Sequence, residues 1–136
     1  MTPAALPGVE RPAAIVLAAA LTALAPSASQ ACGACVEDKI AATYDHAVVL
    51  QAAARGDVMV VCEVSGALDA KQLKQAVQRV RGVKPQSVRV SAQLAAVSFA
   101  VDLAVRSPQD AVAAAQRSLA PGSRLSIVHL GRPDPL

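Results

Sequence analysis

The hydrophobic pattern of the chain changes several times along its length, and each change predicts an element. Residues 36–55 carry apolar side chains at helical spacing, and Gly56 suits the end of such a helix. Residues 57–64 then alternate as a strand does. The alternation puts four side chains on one face: Val58, Val60, Cys62 and Val64. Glu63 falls on the opposite face, which we therefore expect to be the more exposed one. Met59 and Val61 lie on that face too, and they leave open the alternative that the N-terminal helix covers it or docks to a partner.

Residues 66–130 predict two more helices and three more strands. Asp69 followed by Gln72 is a capping-box pattern that predicts the start of a helix. Ser107 followed by Pro108 predicts a second helix start, because proline suits the first helical position. Regular alternation predicts the strands. The elements are, in order, a helix over 69–81, strands over 88–94 and 97–103, a helix from 107 that ends before 121, and a strand over 123–130.

The order of elements after residue 57 is strand, helix, strand, strand, helix, strand. This order predicts an α+β fold of the ferredoxin-like type, βαββαβ, with right-handed crossovers. Its four-stranded antiparallel sheet would have the strand order 4-1-3-2 and both helices on one face. The helix over 36–55 would be an extra N-terminal helix ahead of this domain.

The beginning of the chain has the pattern of an export signal. An apolar run over 13–24 is shorter than the ~20 residues that span a bilayer, and small residues follow it up to Ala31. We expect cleavage after Ala31 and a periplasmic or secreted protein, with a retained membrane anchor as the alternative. Ser29 disfavours lipidation of Cys32, which would want an aliphatic residue there. The chain then has four parts: a signal peptide over 1–31, an N-terminal segment over 32–56, a domain over 57–130 and a tail over 131–136.

Composition and charge exclude several classes of function. The 136 residues include one Tyr, one Phe and no Trp, so an aromatic platform for stacking bases is not expected. The net charge is only +3 and the basic residues are scattered, which argues against nucleic-acid binding. The sequence has no Ser/His/Asp grouping, phosphate-binding glycine loop or paired carboxylates at a plausible cleft. We therefore expect a protein that is not an enzyme.

The strongest candidate for chemistry is the motif Cys32-Gly33-Ala34-Cys35, which would begin the processed chain. A helix start favours thiolate, although the carboxylates of Glu37 and Asp38 oppose it. Two thiolates at this spacing suit near-linear Cu(I) or half of a Zn(II) site. We predict that Cys32 and Cys35 bind a metal ion for transfer or sequestration. Thiol–disulfide exchange, and a structural disulfide in a non-catalytic interaction domain, remain as alternatives in an oxidising compartment.

Other candidate ligands are weaker. Val36 follows the motif where covalent haem attachment would need His, and no strand precedes Cys32 as a thioredoxin-like enzyme would need. His46 lies about 16 Å further along a straight helix, so it cannot share a metal with the pair, and we expect it at the surface. The remaining candidates are expected to have structural roles: Cys62 as a core residue, His129 at a strand end and Met59 under a helix.

Residues 58–130 resemble the heavy-metal-associated domains of copper chaperones and metal-transporting ATPases. The resemblance is carried by short segments along the predicted strands and at the end of the first helix of the domain: Val64-Ser65-Gly66, Gly82-Val83, Val88-Arg89-Val90 and Val97-Ser98-Phe99. It implies the fold and, as partner, a metal-transport or metal-accepting protein. Metal-binding members carry Cys-x-x-Cys between the first strand and first helix. That loop is Gly66-Ala67-Leu68-Asp69 here, so no ligand is carried over to it.

Overall fold

The structure is a computed structural model and describes residues 35–132. The expected signal peptide and Cys32 lie outside the described residues, as do residues 133–136. The described elements are α1 (Val36–Thr43), α2 (His46–Arg55), β1 (Val58–Ser65), α3 (Ala70–Gln78), a 3-10 turn (Pro85–Ser87), β2 (Arg89–Ser91), β3 (Ala96–Val101), α4 (Pro108–Arg117) and β4 (Arg124–Gly131). None of the helices in this part of the chain has the length and apolarity to cross a bilayer.

The four strands form one antiparallel sheet in the order β2-β3-β1-β4, which confirms the α+β class. β1 pairs Val60 with Phe99 of β3, and its register against β4 shifts between Val61 and Cys62. β2 has three residues, so it is shorter than the predicted strand over 88–94. The 3-10 turn occupies the residues before it, and a turn over 92–95 follows it.

The main hydrophobic core lies between one face of the sheet and helices α3 and α4. Its largest fully buried side chain is Phe99, which is 0% exposed. The strand residues of this core alternate as predicted and include Val60 and Cys62. Leu73 and Val77 of α3 pack against them with the small apolar side chains of α4. Asp69 caps α3, because its Oδ1 accepts hydrogen bonds from the backbone N–H groups of residues 71 and 72.

The second face of the sheet is covered by α1 and α2, contrary to the expectation that Glu63 marks an exposed face. α1 contacts all four strands and α2 contacts β1. Val61, on the same face as Glu63, is only 4% exposed. Glu63 tolerates this position because the Lys39 ammonium of α1 lies 2.8 Å from its Oε2. The sheet is therefore the middle layer between α1 and α2 on one face and α3 and α4 on the other.

The segment over 36–55 forms two helices, where the spacing predicts one. The break is at Tyr44, whose backbone is extended (φ −68°, ψ 129°), and at Asp45. The Asp45 side chain accepts a hydrogen bond from the Val48 N–H and so caps α2. A short acidic side chain offers the backbone this alternative to a continuous helix. The predicted end at Gly56 is confirmed, with a left-handed φ of 72°.

Candidate functional site

Cys35 is the N-cap residue of α1. Its backbone is extended (φ −62°, ψ 149°), its carbonyl accepts a hydrogen bond from the Lys39 N–H at 3.3 Å, and its side chain is half-buried. The first turn of α1 also carries Glu37 and Asp38. The thiol of Cys35 thus stands where backbone N–H groups favour an anion and two nearby carboxylates disfavour it.

Helix α1 is attached to the sheet by polar contacts one and two turns beyond Cys35. Lys39 is 4% exposed, and its ammonium donates to Glu63 of β1 at 2.8 Å. The Thr43 hydroxyl donates back to the Lys39 carbonyl at 2.9 Å, and the Ser98 hydroxyl of β3 donates to the Thr43 carbonyl at 3.1 Å. These contacts fix the direction in which α1 presents its N-terminus.

The junction between α1 and α2 is attached to β2. The Arg89 guanidinium donates to Asp45 Oδ2 from Nε at 3.0 Å and from Nη2 at 2.8 Å. This hydrogen bonding, with a smaller effect from the Val48 N–H, lowers the pKa of Asp45 below its ordinary 3.8. Beside it, the Tyr44 hydroxyl lies 3.0 Å from His46 Nδ1. His46 is exposed, as the sequence predicts.

A cavity of about 220 Å³ remains between the N-terminal helices and the sheet, and we call it the helix–sheet cavity. Its walls are mainly apolar, and they come from α1, α2, β1, β3 and β4. The lining includes the side chains of Ile40, Val49, Met59, Val61, His129 and Arg132. Met59 is half-buried under the helices, so the prediction that a helix covers it is confirmed.

Cys62 has no part in a site on the N-terminal helices. It is 0% exposed within the core cluster that packs on α3 and α4, so the sheet lies between it and α1. Burial raises the pKa of its thiol to about 12, which keeps it protonated at neutral pH. The prediction that Cys62 packs as a small hydrophobic residue is confirmed.

The loop after β1 serves packing. Gly66 has a left-handed φ of 85°, and a side chain there would collide with the Gly122 carbonyl of the turn before β4. Two loops can approach this closely only because Gly66 lacks Cβ. Across residues 35–132, no three His, Cys, Asp or Glu side chains gather as a metal site would require.

Comparison with protein-family models, with curated proteins and with solved structures gave no match for this chain. Of the two predicted ligands, Cys35 is placed on α1 and Cys32 lies outside the described residues. Sequence reasoning gave no role to the joint position of Met59 and His129 in the helix–sheet cavity. The sequence does show that Met59 and His129 each lie on an alternating strand. It does not show that the two residues become neighbours, because that depends on how β1 and β4 pair.

Proposed function

We propose that the exported protein binds Cu(I), or another ion that thiolates hold well such as Zn(II), through Cys32 and Cys35. It would transfer or sequester the ion without catalysing a reaction. The observation that carries this proposal is the position of Cys35 at the N-cap of a helix that buried contacts hold against the sheet. Thiolate is the form that binds soft metals, and helix N-termini favour it.

The proposal includes the fold type. The strand order β2-β3-β1-β4, with α3 and α4 on one face, supports a ferredoxin-like βαββαβ domain of the heavy-metal-associated kind. Such domains bind metal in the loop after the first strand, which here contains Gly66 and no sulfur. We infer that the thiols have moved to an N-terminal extension, formed by the motif and by α1 and α2. Cu(I) would then pass by ligand exchange to a metal-transport or metal-accepting protein.

The test is an anaerobic Cu(I) titration of the reduced chain over 32–136 against a chromophoric Cu(I) chelator. The parent should bind one Cu(I) ion at a site that is tighter than any further Cu(I) site on the chain. Cys32→Ser/Cys35→Ser should lose this tightest site, because hydroxyl groups do not replace thiolates on Cu(I). Cys62→Ala is the matched control and should retain it, since Cys62 is buried on the other side of the sheet. Equal affinity of the parent and the double serine variant would contradict the proposal.

The same geometry favours thiol–disulfide exchange as a second function. A cysteine at a helix N-terminus is a better leaving group and a better nucleophile at neutral pH than an ordinary one. The two functions differ in a measurable way. An exchange protein would reduce or oxidise insulin disulfides and would have a reduction potential near that of its compartment. A strongly reducing, inert disulfide between Cys32 and Cys35 would exclude exchange.

A further inference from the structure

Two side chains that can bind soft metals share one wall of the helix–sheet cavity. In the register of β1 and β4, Met59 pairs with Gly131 and Val61 pairs with His129. Residues directly opposite in an antiparallel pair project from the same face of the sheet. Met59 and His129 are therefore diagonal neighbours on the face that α1 and α2 cover, and both line the cavity.

The imidazole of His129 leans along β4 toward Gly131. A Cβ added to Gly131 would lie only 3.0 Å from His129 Nε2, so the ring occupies the space that a side chain at Gly131 would need. Gly131 is the residue directly across from Met59. The absence of a side chain at position 131 thus allows Nε2 to approach the strand position from which the thioether projects.

From this arrangement we propose a second soft-metal site, in which Met59 Sδ and His129 Nε2 bind Cu(I). Thioether sulfur and imidazole nitrogen are both ligands that Cu(I) accepts, and Cu(I) is stable with few ligands. In this arrangement His129 would bind the ion through Nε2, and Nδ1 would carry the N–H.

The oxygen atoms of the lining are engaged elsewhere, since Asp45 caps α2 and binds Arg89 and the Ser98 hydroxyl donates to the Thr43 carbonyl. They offer little to ions that need several oxygen ligands, such as Mg²⁺ or Ca²⁺. Arg132 adds a positive charge to the lining, but it is exposed.

This site does not depend on the proposed thiol site, and it differs from it in one chemical respect. A thioether cannot form a disulfide, whereas Cys32 and Cys35 can be oxidised in the compartment to which the chain is expected to be exported. The Met59–His129 site would therefore keep its affinity for Cu(I) when the thiol pair is oxidised.

The experiment uses the chain over 32–136 with Cys32→Ser and Cys35→Ser, so that only the second site is measured. Anaerobic titration with Cu(I), and with Ag(I) as a probe that resists oxidation, should give one bound ion. Within residues 32–136, Met59 is the only methionine. Its ¹³C-labelled methyl group therefore gives a single NMR signal, which should shift in proportion to the bound metal.

Single substitutions distinguish the residues that bind Cu(I) from those that do not. Met59→Leu and His129→Gln should each weaken Cu(I) binding by about 100-fold or more, since loss of even an outer-shell partner costs about 10–100-fold. Gly131→Ala should also weaken it, because the new methyl group displaces the imidazole. His46→Gln is the matched control and should leave binding unchanged, since His46 is exposed like His129 but does not line the cavity.

The outcomes distinguish the two proposals. If the serine double variant binds no Cu(I), or binds it equally well with Met59→Leu, the second site does not exist, and the thiol site is unaffected by that result. Leucine has nearly the shape of methionine, so unfolding is not the expected cause of a loss. Thermal unfolding of each variant without metal verifies this, and His129→Gln provides a second, chemically different removal of a ligand.

Discussion

Cys62 should be the least reactive thiol of the protein, and the size of the effect follows from its burial. In the Cys32→Ser/Cys35→Ser variant it is the one remaining cysteine. Burial raises its pKa from 9.0 to about 12, so the thiolate fraction at about pH 8 falls by about a thousandfold. Because thiolate is the reacting form, alkylation by iodoacetamide should slow by at least that factor. Mass spectrometry of quenched time points measures the rate, with the same variant in urea as the unfolded reference.

The dependence on pH provides the control. The unfolded chain should reach half of its maximum alkylation rate at about pH 9 and level off above it, whereas the rate of the folded chain should still rise about tenfold for each pH unit there. The reasoning is refuted if the folded protein reacts within about tenfold of the unfolded rate. Cys62 would then be accessible, and it would have to be considered as a third metal ligand.

Three further predictions concern the packing of the N-terminal helices and of the loops. Glu63→Ala should cost about 1–2 kcal/mol in urea unfolding, because it removes a charged partner of a buried ammonium, and the half-exposed carboxylate reduces the usual ~3–5 kcal/mol. Lys39→Met should cost less, and the reverse order would contradict this. Asp45→Asn should be less stable than the parent at neutral pH. Because folding lowers the pKa of Asp45, the stability difference should vanish as the pH falls well below 3.8, and a difference that persists in acid would refute this. Gly66→Ala should destabilise the fold by about 2 kcal/mol or more, because the new Cβ collides with the backbone. Gly56 also has a positive φ, but a Cβ there meets nothing within 4 Å, so Gly56→Ala should cost only about 1–2 kcal/mol. Equal effects in thermal unfolding would refute the collision.

Local chemistry made much of the sheet domain predictable. The alternation in β1, the cap at Asp69 and the Ser107-Pro108 helix start all act within a few residues, and each is present in the structure. The hairpin between β2 and β3 has no such local signal. Its turn uses Ala95 with a φ of 48°, a conformation that alanine seldom adopts, so the sequence could not define the strand ends.

The N-terminal layer and the helix–sheet cavity were harder to predict, because they depend on contacts between distant residues. Asp45 breaks the helix partly because Arg89 of β2 binds its second carboxylate oxygen. Glu63 can lie on the face that α1 covers because Lys39 reaches its carboxylate. Met59 and His129 become neighbours only through the register of β1 and β4, which includes a bulge. Periodicity along the chain contains no information about such pairings.

The central position of β1 has a consequence for how the chain folds during and after synthesis. One of the two neighbours of β1 in the sheet is β4, the last strand of the described residues, so the sheet is incomplete until residues near 131 have left the ribosome. Contacts between such distant segments form slowly, because a long loop must close first. Until then one edge of β1 has no partner strand, and the core packs fully only when the last described strand is added.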